Sequence, residues 1–320
     1  MNAAIVNSFA QAPRFGSFAD PVAEAGEVLV AVEAAGLHPI VKALANGTHY
    51  GSTSALPFIP GVDGVGRLAD GIRVYFGVAR PPFGTFAERS VAKREMCMAL
   101  PDALDALTAA GIANPGMSSW VALVMRAQFD AGESVLILGA TGSAGQLAVQ
   151  IAKRLGARRV VAAGRNPEAL ESLKALGADA VIPLEQSHDD LVAAFRGEIV
   201  EYGVDVVLDY LWGEPAECVL AAAAQKGLSH AAPRIRFVQI GQSAAATITL
   251  AGATLRSSSV ELLGSGFGSA SMKEIFAALA EFFQQAAKTP FATKVQAAAL
   301  GDVEALWNAP ERGARLVFQP

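Results

Sequence analysis

The sequence predicts an α/β protein that combines a doubly wound parallel sheet with a second, mostly β domain. From about residue 114 to residue 266, short apolar runs alternate with amphipathic segments of helical spacing, which is typical of a parallel sheet covered on both faces. Before residue 113, short β-like runs are instead separated by glycine and proline turns. With 320 residues, 52% of them hydrophobic, the chain is long enough to form two domains with cores.

The predicted elements follow in chain order. In the first region Glu27–Glu33 alternates between apolar and polar residues, which predicts a strand, and Phe83–Glu88 indicates a turn followed by a strand. In the second region, buried strands are predicted at 134–138, 159–163, 204–208, 235–240 and 259–263. Helices are predicted at 146–155, 167–176 and 271–287, and a last strand at 314–318 is expected to rejoin the first domain.

Composition and charge exclude several classes of function. A net charge of −5 provides no basic surface for nucleic acid or anionic lipid. The mean hydropathy is +0.36, yet no run of about 18 apolar residues occurs, so no transmembrane helix is predicted. Cys97 and Cys218 are too few for a disulfide framework or a cysteine-rich zinc site, and the first residues lack the pattern of a secretory signal. We therefore expect a cytoplasmic enzyme without nucleic-acid or membrane partners.

A glycine-rich turn joins the strand at 134–138 to the helix that follows. Three glycines in this turn allow a tight bend and a close approach of the backbone to a pyrophosphate, which the helix N-terminus then stabilises. The alternative is an ordinary strand-to-helix turn, but the strand before it and the helix after it favour a nucleotide site. The residues predicted to bind the nucleotide are Gly139, Ala140, Thr141, Gly142, Ser143, Ala144 and Gly145.

The next strand ends at three residues that predict the choice of cofactor, namely Gly164, Arg165 and Asn166. An NAD-selective site usually has an acidic residue here that binds the ribose hydroxyls. Arg165 can instead pair with a 2′-phosphate and stack on adenine. We therefore predict NADPH as the cofactor, with a solvated surface arginine as the alternative interpretation.

The order of several segments resembles the medium-chain dehydrogenase/reductase superfamily, in its zinc-independent quinone oxidoreductase type. These segments are EVLVAVEAAGLHPI (27–40), LPFIPGVDGVGRL (56–68), GATGSAG (139–145), GVDVVLDYLWG (203–213) and IRFVQIG (235–241). The resemblance covers essentially the whole chain.

This resemblance implies a domain organisation and a reaction. A GroES-like domain would be built from residues 1–113 and 267–320, and a Rossmann domain at 114–266 would bind NADPH. The active site would lie in the cleft between them. There a hydride would pass from NADPH to a quinone or an α,β-unsaturated carbonyl. Relatives commonly form homodimers through the last strand of the Rossmann sheet, which here lies within 254–264.

The metal-ligand positions of zinc-dependent relatives carry other residues in this chain. Those relatives have a cysteine after the first long strand and a Gly-His-Glu sequence in a later loop. Here His38 stands at the first position, and Val62 and Asp63 stand at the second. Because a catalytic zinc needs about three protein ligands, we predict that there is no metal.

Tyr50 and His38 are the predicted catalytic residues. Without zinc, negative charge on the substrate oxygen must be stabilised by hydrogen-bond donors, one of which can also supply a proton. Tyr50 stands where similar reductases carry a substrate-facing tyrosine, and His38 stands where quinone reductases usually have asparagine. The alternatives are that Tyr50 packs on the cleft wall and that His38 is a hydrogen-bonded loop residue. His49, His188 and His230 are assigned no role.

The resemblance also implies further cofactor contacts. Ser118 stands where relatives place a threonine that contacts the nicotinamide. Gly241, Gln242, Gly264 and Gly266 follow the later strands, at the carboxyl edge where such sheets bind ligands. We expect backbone contacts there to the nicotinamide ribose and amide.

Two other functions remain open at the level of the sequence. A trans-2-enoyl thioester reductase has a similar fold with a tyrosine at the Tyr50 position, although its carrier would require a basic entrance groove that this acidic chain does not show. A non-catalytic NADPH-binding sensor would bind the cofactor without its oxidation by any acceptor. Cofactor oxidation with a defined acceptor distinguishes these possibilities.

Overall fold

The computed structural model describes residues 1–225, 232–310 and 313–320, so that His230 lies outside the described residues. The described chain divides into two compact units. Unit 1 consists of Met1–Pro115 together with Leu279–Pro320, and unit 2 is the intervening segment Gly116–Ala278.

The described strands and helices are numbered in chain order. The strands are β1 (Asn2–Ile5), β2 (Arg14–Ser17), β3 (Glu27–Gly36), β4 (Asp63–Arg67), β5 (Arg73–Gly77), β6 (Arg89–Lys93), β7 (Cys97–Ala99), β8 (Ser134–Leu138), β9 (Arg159–Gly164), β10 (Ala180–Pro183), β11 (Val206–Asp209), β12 (Arg234–Gln239), β13 (Ser259–Gly264), β14 (Val295–Ala299) and β15 (Arg315–Gln319). The helices are α1 (Pro39–Ala45), α2 (Ala106–Val121), α3 (Ser143–Arg154), α4 (Pro167–Ser172), α5 (His188–Gly197), α6 (Gly213–Ala223), α7 (Gly252–Arg256), α8 (Met272–Lys288) and α9 (Val303–Leu306).

Unit 2 is built on a parallel sheet of six described strands. Their order is β10-β9-β8-β11-β12-β13, which is the 3-2-1-4-5-6 order of the doubly wound fold. Every residue of β8 and β11 is buried, as expected for strands covered on both faces. The direction of strand order reverses between β8 and β11, and ligands bind such sheets in the crevice at the carboxyl ends of these strands. The predicted fold class is confirmed.

Unit 1 contains a sheet of seven described strands with β3 near its middle. The order is β14-β15-β3-β4-β5-β7, and β6 also pairs with β3. The strand predicted at 314–318 is observed as β15, and it pairs antiparallel with β3 through Val317 opposite Gly36 and Phe318 opposite Ala35. Phe318 is fully buried in a core cluster that includes Trp307. Residues from the first part and from the last part of the sequence therefore share one core.

Two predicted helices in unit 2 differ at their ends. The helix predicted from residue 146 begins earlier, at Ser143, because Gly142 has the extended dihedral angles of an N-cap residue (φ −74°, ψ 163°). The helix predicted at 167–176 is α-helical only over Pro167–Ser172. It tightens into a 3₁₀ turn over Leu173–Leu176 before Gly177, whose φ is +111°.

The strand predicted within Phe83–Glu88 is wrong in its position. The chain turns sharply here, with the N–H of Phe83 donating to the carbonyl of Arg80 (2.9 Å) and the N–H of Phe86 donating to the carbonyl of Pro60 (3.1 Å). The strand itself begins at Arg89. Within the predicted segment, Ala87 forms an isolated antiparallel bridge with Ala3 of β1.

The change in sequence texture at 114–116 lies inside a helix. Pro115 and Gly116 resemble a break in structure, but α2 runs through them, and the division between the two units falls at the bond between them. The helices α1, α5, α6, α7 and α9 were also not predicted. Among the described helices, none has the length and apolar character required to pass through a bilayer.

Candidate cofactor and catalytic sites

The phosphate loop predicted at residues 139–145 joins β8 to α3. Gly139 has a φ of +83°, a conformation that favours glycine, and its N–H donates to the carbonyl of Ala163 in β9 (3.0 Å). Ala140 donates to the same carbonyl (2.9 Å). The N–H of Gly142 then donates to the carbonyl of Gly139 (3.2 Å), which closes the turn. The loop is therefore fixed to the end of β9 before the helix begins.

The last three loop residues form the first turn of α3. A Cβ on Gly145 would lie 2.5 Å from Cα of Ala140 and would also overlap the carbonyl oxygen of Gly139, so only glycine allows this close approach. No side chain caps the helix N-terminus. The first N–H groups of an uncapped helix, here those of Ser143 and Ala144 among others, are therefore available to an anion.

The end of β9 brings the second group of predicted residues next to this loop. A Cβ on Gly164 would lie 2.7 Å from Cγ2 of Thr141, so the two segments are in close contact. Arg165 is exposed and has no ion pair among the described residues. The side-chain oxygen of Asn166 accepts a hydrogen bond from the N–H of Ala169 (2.9 Å) and caps α4. Any contact of the Asn166 side chain with a phosphate therefore falls to its Nδ2 group.

A buried carboxylate ends β11 at the point where strand order reverses. Oδ1 of Asp209 accepts hydrogen bonds from the N–H groups of Leu211 (2.8 Å) and Trp212 (2.9 Å). Its Oδ2 atom has no hydrogen-bond partner among the described residues. Burial raises the pKa of Asp209 to about 6. The turn that it stabilises carries Trp212 at a φ of +58°, which is rare for a residue with a side chain.

Tyr210 and Ser119 are polar residues of this edge that the sequence prediction did not include. The Tyr210 hydroxyl lies 2.7 Å from Oγ of Ser119 and 3.4 Å from Oγ of Ser118, which was predicted. Burial raises the pKa of Tyr210, so the phenol stays protonated at neutral pH. A tyrosine directly after a buried strand at the reversal point was the only sequence signal for this contact.

The later strands bring the remaining predicted cofactor residues to the same edge. The N–H of Gly241 donates to the carbonyl of Asp209 (3.0 Å), and a Cβ on Gly241 would lie 2.8 Å from the carbonyl oxygen of Tyr210. Gln242 and Gly264 line a pocket of about 310 Å³. The other residues lining this pocket are Trp212, Gln239, Ala246, Leu262 and Leu263.

Arg126 connects a π-helical turn after α2 to the loop that follows β13. Its Nε donates to the carbonyl of Gly264 (2.8 Å), and its Nη1 donates to the carbonyl of Ser269 (3.1 Å). Inside the loop, the N–H of Gly266 donates to Oγ of Ser269 (2.9 Å). Gly264, the last residue of β13, and Gly266 in the following loop therefore lie in a segment whose two ends accept hydrogen bonds from one guanidinium group.

His38 in unit 1 is fully buried at the N-cap position of α1. Its Nε2 atom lies 3.6 Å from Oδ1 of Asp63, and neither ring nitrogen has a hydrogen-bond partner among the described residues. Burial and the nearby positive charge of Arg315 hold the pKa of His38 well below its usual range. Burial raises the pKa of Asp63 to about 7, although Tyr75 donates a hydrogen bond to its Oδ2 (3.1 Å). Because its own pKa is lowered, His38 is neutral at neutral pH.

Tyr50 lies at the surface of unit 1, where 75% of its area is exposed. Its ring centroid is 4.0 Å from that of His49, with the two planes tilted by 32°. His49 is half-buried, and its Nδ1 accepts a hydrogen bond from the N–H of Gly51 (3.0 Å). The two predicted catalytic side chains thus have opposite environments, since His38 is enclosed and Tyr50 is exposed.

No group of three or more histidine, cysteine, aspartate or glutamate side chains is placed so that it could hold a metal ion within residues 1–225, 232–310 and 313–320. At the positions that bind zinc in zinc-dependent relatives, the structure provides the pair His38 and Asp63.

Comparison with known proteins identifies relatives for the whole chain. The sequence profile of a family described as zinc-binding dehydrogenase matches residues 144–285. The probable NADPH-dependent quinone reductase tdiC of Emericella nidulans is 28% identical, and the match covers 100% of both chains. The human quinone oxidoreductase is 30% identical over 60% of this chain and 59% of its own length.

Solved structures with the same fold include a quinone oxidoreductase from Thermus thermophilus that was also crystallised with NADPH. It is 26% identical, covers 100% of both chains and superposes with a TM-score of 0.81. The match therefore includes both units of the present chain.

Proposed function

Because the chain belongs to the medium-chain dehydrogenase/reductase superfamily, in its quinone oxidoreductase type, we propose that it is an NADPH-dependent oxidoreductase that transfers a hydride to a quinone or an α,β-unsaturated carbonyl. The observation that carries the proposal is the carboxyl edge of unit 2. There the glycine loop at the N-terminus of α3 lies one strand away from the exposed Arg165. When bound, NADPH supplies the hydride, and the residues of this chain hold and orient it.

The residues of the carboxyl edge fit the cofactor group by group. The uncapped first turn of α3 offers N–H donors to a pyrophosphate, and Gly145 keeps the helix close to the loop. Arg165 offers a guanidinium group to a 2′-phosphate. Gly264 lines the pocket at the end of β13 and has no Cβ that would block a nicotinamide ribose, whereas Gly241 is required by its close contact with the carbonyl of Tyr210.

Arg165 is proposed to determine the preference for NADPH over NADH. An Arg165→Gln variant is expected to weaken NADPH binding by about 10- to 100-fold, since a hydrogen bond to a charged group contributes about 1.5–3 kcal/mol. NADH binding should not change. Arg14→Gln, an exposed arginine in unit 1, is the matched control for the loss of one positive charge. Equal affinity of the wild-type protein for NADPH and NADH, measured by fluorescence titration, would contradict the assignment.

Tyr50 and His38 are proposed to stabilise the charge that develops on the acceptor oxygen. The exposed Tyr50 hydroxyl can donate a hydrogen bond and a proton to that oxygen, and the neutral imidazole of His38 retains one N–H donor. Tyr50→Phe should lower kcat by about 100-fold or more if the hydroxyl transfers a proton. Tyr202→Phe, in unit 2, is the control. Unchanged kcat in Tyr50→Phe would remove Tyr50 from the mechanism.

The reaction is proposed to proceed without zinc. Support comes from the residues at the metal-ligand positions of the zinc-dependent relatives, where only His38 and Asp63 carry ligating atoms. The decisive assay follows NADPH oxidation with a quinone and with an enone, each with and without a chelator. Activity that is lost with the chelator and restored by zinc would refute this part of the proposal. The better acceptor identifies the substrate class.

We also propose a homodimer in the cytoplasm, where NADPH is available. The strand β13 lies at an edge of the described sheet, and Leu262 on this strand is 40% exposed. A second copy of β13 could pair with it across a two-fold axis. Light scattering should therefore give twice the chain mass, and Leu262→Lys should shift that mass toward the monomer. A monomeric mass for the wild-type protein would contradict the dimer.

A further inference from the structure

Tyr210 lies at the centre of the carboxyl edge of unit 2, directly after β11. Its N–H donates to the carbonyl of Leu138 at the end of β8 (3.2 Å), and its own carbonyl accepts from the N–H (3.3 Å) and Oγ (3.0 Å) of Ser243. A Cβ on Gly139 would lie 3.3 Å from Cβ of Tyr210, and one on Gly241 would lie 2.8 Å from its carbonyl oxygen. Tyr210 thus contacts the segments that follow both β8 and β12.

The side chain of Tyr210 reaches a further element, the helix α2. Its hydroxyl is 2.7 Å from Oγ of Ser119, which is fully buried, and 3.4 Å from Oγ of Ser118. Because burial keeps the phenol protonated, this hydroxyl can donate one hydrogen bond and accept another. The three hydroxyl groups therefore link the last turn of α2 to the end of β11.

We propose that Tyr210 is a positioning residue for the nicotinamide half of the cofactor. Its hydroxyl holds Ser118 and Ser119 at the carboxyl edge, so that the Ser118 hydroxyl meets the bound dinucleotide in one fixed orientation. A group that is ordered before binding does not lose its conformational entropy when the ligand arrives, which increases affinity. This inference rests on the proposed NADPH site. It attributes the fixed position of Ser118 to the contact between α2 and the end of β11, two elements that are far apart in the sequence.

The test compares two ligands on variants that each lose a single oxygen atom. Tyr210→Phe keeps the ring and removes the hydroxyl. Tyr202→Phe is the matched control, because Tyr202 is a half-exposed tyrosine of unit 2 whose ring lies 4.0 Å from the guanidinium of Arg159. The ligands are NADPH and adenosine 2′,5′-bisphosphate, which carries the 2′-phosphate but no nicotinamide. Tyr210→Phe should raise the Kd of NADPH about 3- to 10-fold, as expected for one hydrogen bond, and leave that of the bisphosphate unchanged.

A second variant and a kinetic readout separate positioning from general damage. Ser119→Ala should weaken NADPH binding selectively in the same way, and the double variant should be no weaker than either single variant, because both changes break one hydrogen bond. The KM for NADPH should rise with the Kd, while the KM for the acceptor stays constant. If Tyr210→Phe does not fold, the same measurements on Ser119→Ala decide the matter.

Three results would overturn the inference. Equal weakening of both ligands would show that the site as a whole is damaged, and an unchanged NADPH Kd in a folded Tyr210→Phe variant would show that the hydroxyl positions nothing. Either result leaves the proposed function intact. Failure of the wild-type protein to bind NADPH would refute the proposed function and, with it, this role of Tyr210.

Discussion

Gly145 and Gly142 allow the structural and the binding requirements of the phosphate loop to be tested separately. A Cβ on Gly145 would meet Cα of Ala140 at 2.5 Å and the carbonyl of Gly139, and these are backbone atoms that no side-chain rotation can move. A Cβ on Gly142 would have its nearest neighbour, the carbonyl oxygen of Gly139, at an ordinary 3.6 Å. The φ of Gly142, −74°, also suits alanine.

The two alanine substitutions are therefore expected to differ in stability. Overpacking of this kind costs about 1–3 kcal/mol, which lowers the Tm of a domain of this size by about 2–12 °C in Gly145→Ala. In Gly142→Ala, alanine restricts the unfolded chain and contributes about 0.4–1 kcal/mol, while its poorer N-cap propensity costs a similar amount. The Tm of Gly142→Ala should therefore stay close to that of the wild-type protein.

Cofactor binding should show the second difference. At the middle glycine of such a loop, the missing side chain lets the backbone approach a pyrophosphate, so Gly142→Ala should weaken NADPH binding without loss of stability. Thermal unfolding followed by circular dichroism without cofactor gives the Tm, and fluorescence titration gives the Kd. The reasoning would be refuted by a wild-type Tm in Gly145→Ala, or by equal destabilisation in both variants.

Three other predictions concern charge and loop geometry. Burial raises the pKa of Asp63 from 3.8 to about 7, so its contribution to stability is lost as the pH rises through this range. Asp63→Asn should therefore gain stability relative to the wild-type protein between about pH 4 and about pH 7, measured by urea unfolding. The buried Arg236 pairs with Glu133, so Arg236→Ala leaves this carboxylate without its counter-charge and should lower the free energy of unfolding by about 3–5 kcal/mol. The control, Arg234→Ala at the surface, should leave the free energy of unfolding almost unchanged. Arg126→Lys loses the two-pronged contact with the loop after β13, so amide hydrogen exchange in that loop should accelerate while the core strands keep their protection.

The buried parallel strands and the glycine loop were predictable because each depends on residues close together in the sequence. Continuous apolar runs such as 134–138 identify strands covered on both faces, and the spacing of Gly139, Gly142 and Gly145 identifies the turn. The path of the chain near Phe83 was not predictable, because it depends on a hydrogen bond to the distant Pro60. The helix through Pro115 was missed for a related reason, since its other residues outweigh the local preference of proline.

The predicted site shows the same division. Arg165 was predicted as a cofactor contact from its place after a strand, and the structure places it there with an exposed side chain. The Tyr210–Ser119 contact joins positions 91 residues apart, so no local pattern could reveal it. Asn166 stays a predicted phosphate contact, and its side-chain oxygen has a second role that the sequence analysis did not include, since it accepts a helix-capping hydrogen bond from Ala169.

The pairing of β15 with β3 has a consequence for synthesis on the ribosome. The N–H of Leu37 donates to the carbonyl of Leu316 (2.9 Å), and Arg315 donates to the carbonyl of Leu37 (2.9 Å), so these partners are separated by the whole of unit 2. At ordinary elongation rates, on the order of tens of seconds pass between their translation. Unit 2 can fold in that interval, whereas β3 exposes an open edge that can pair with other nascent chains. Aggregation during expression should therefore begin in unit 1.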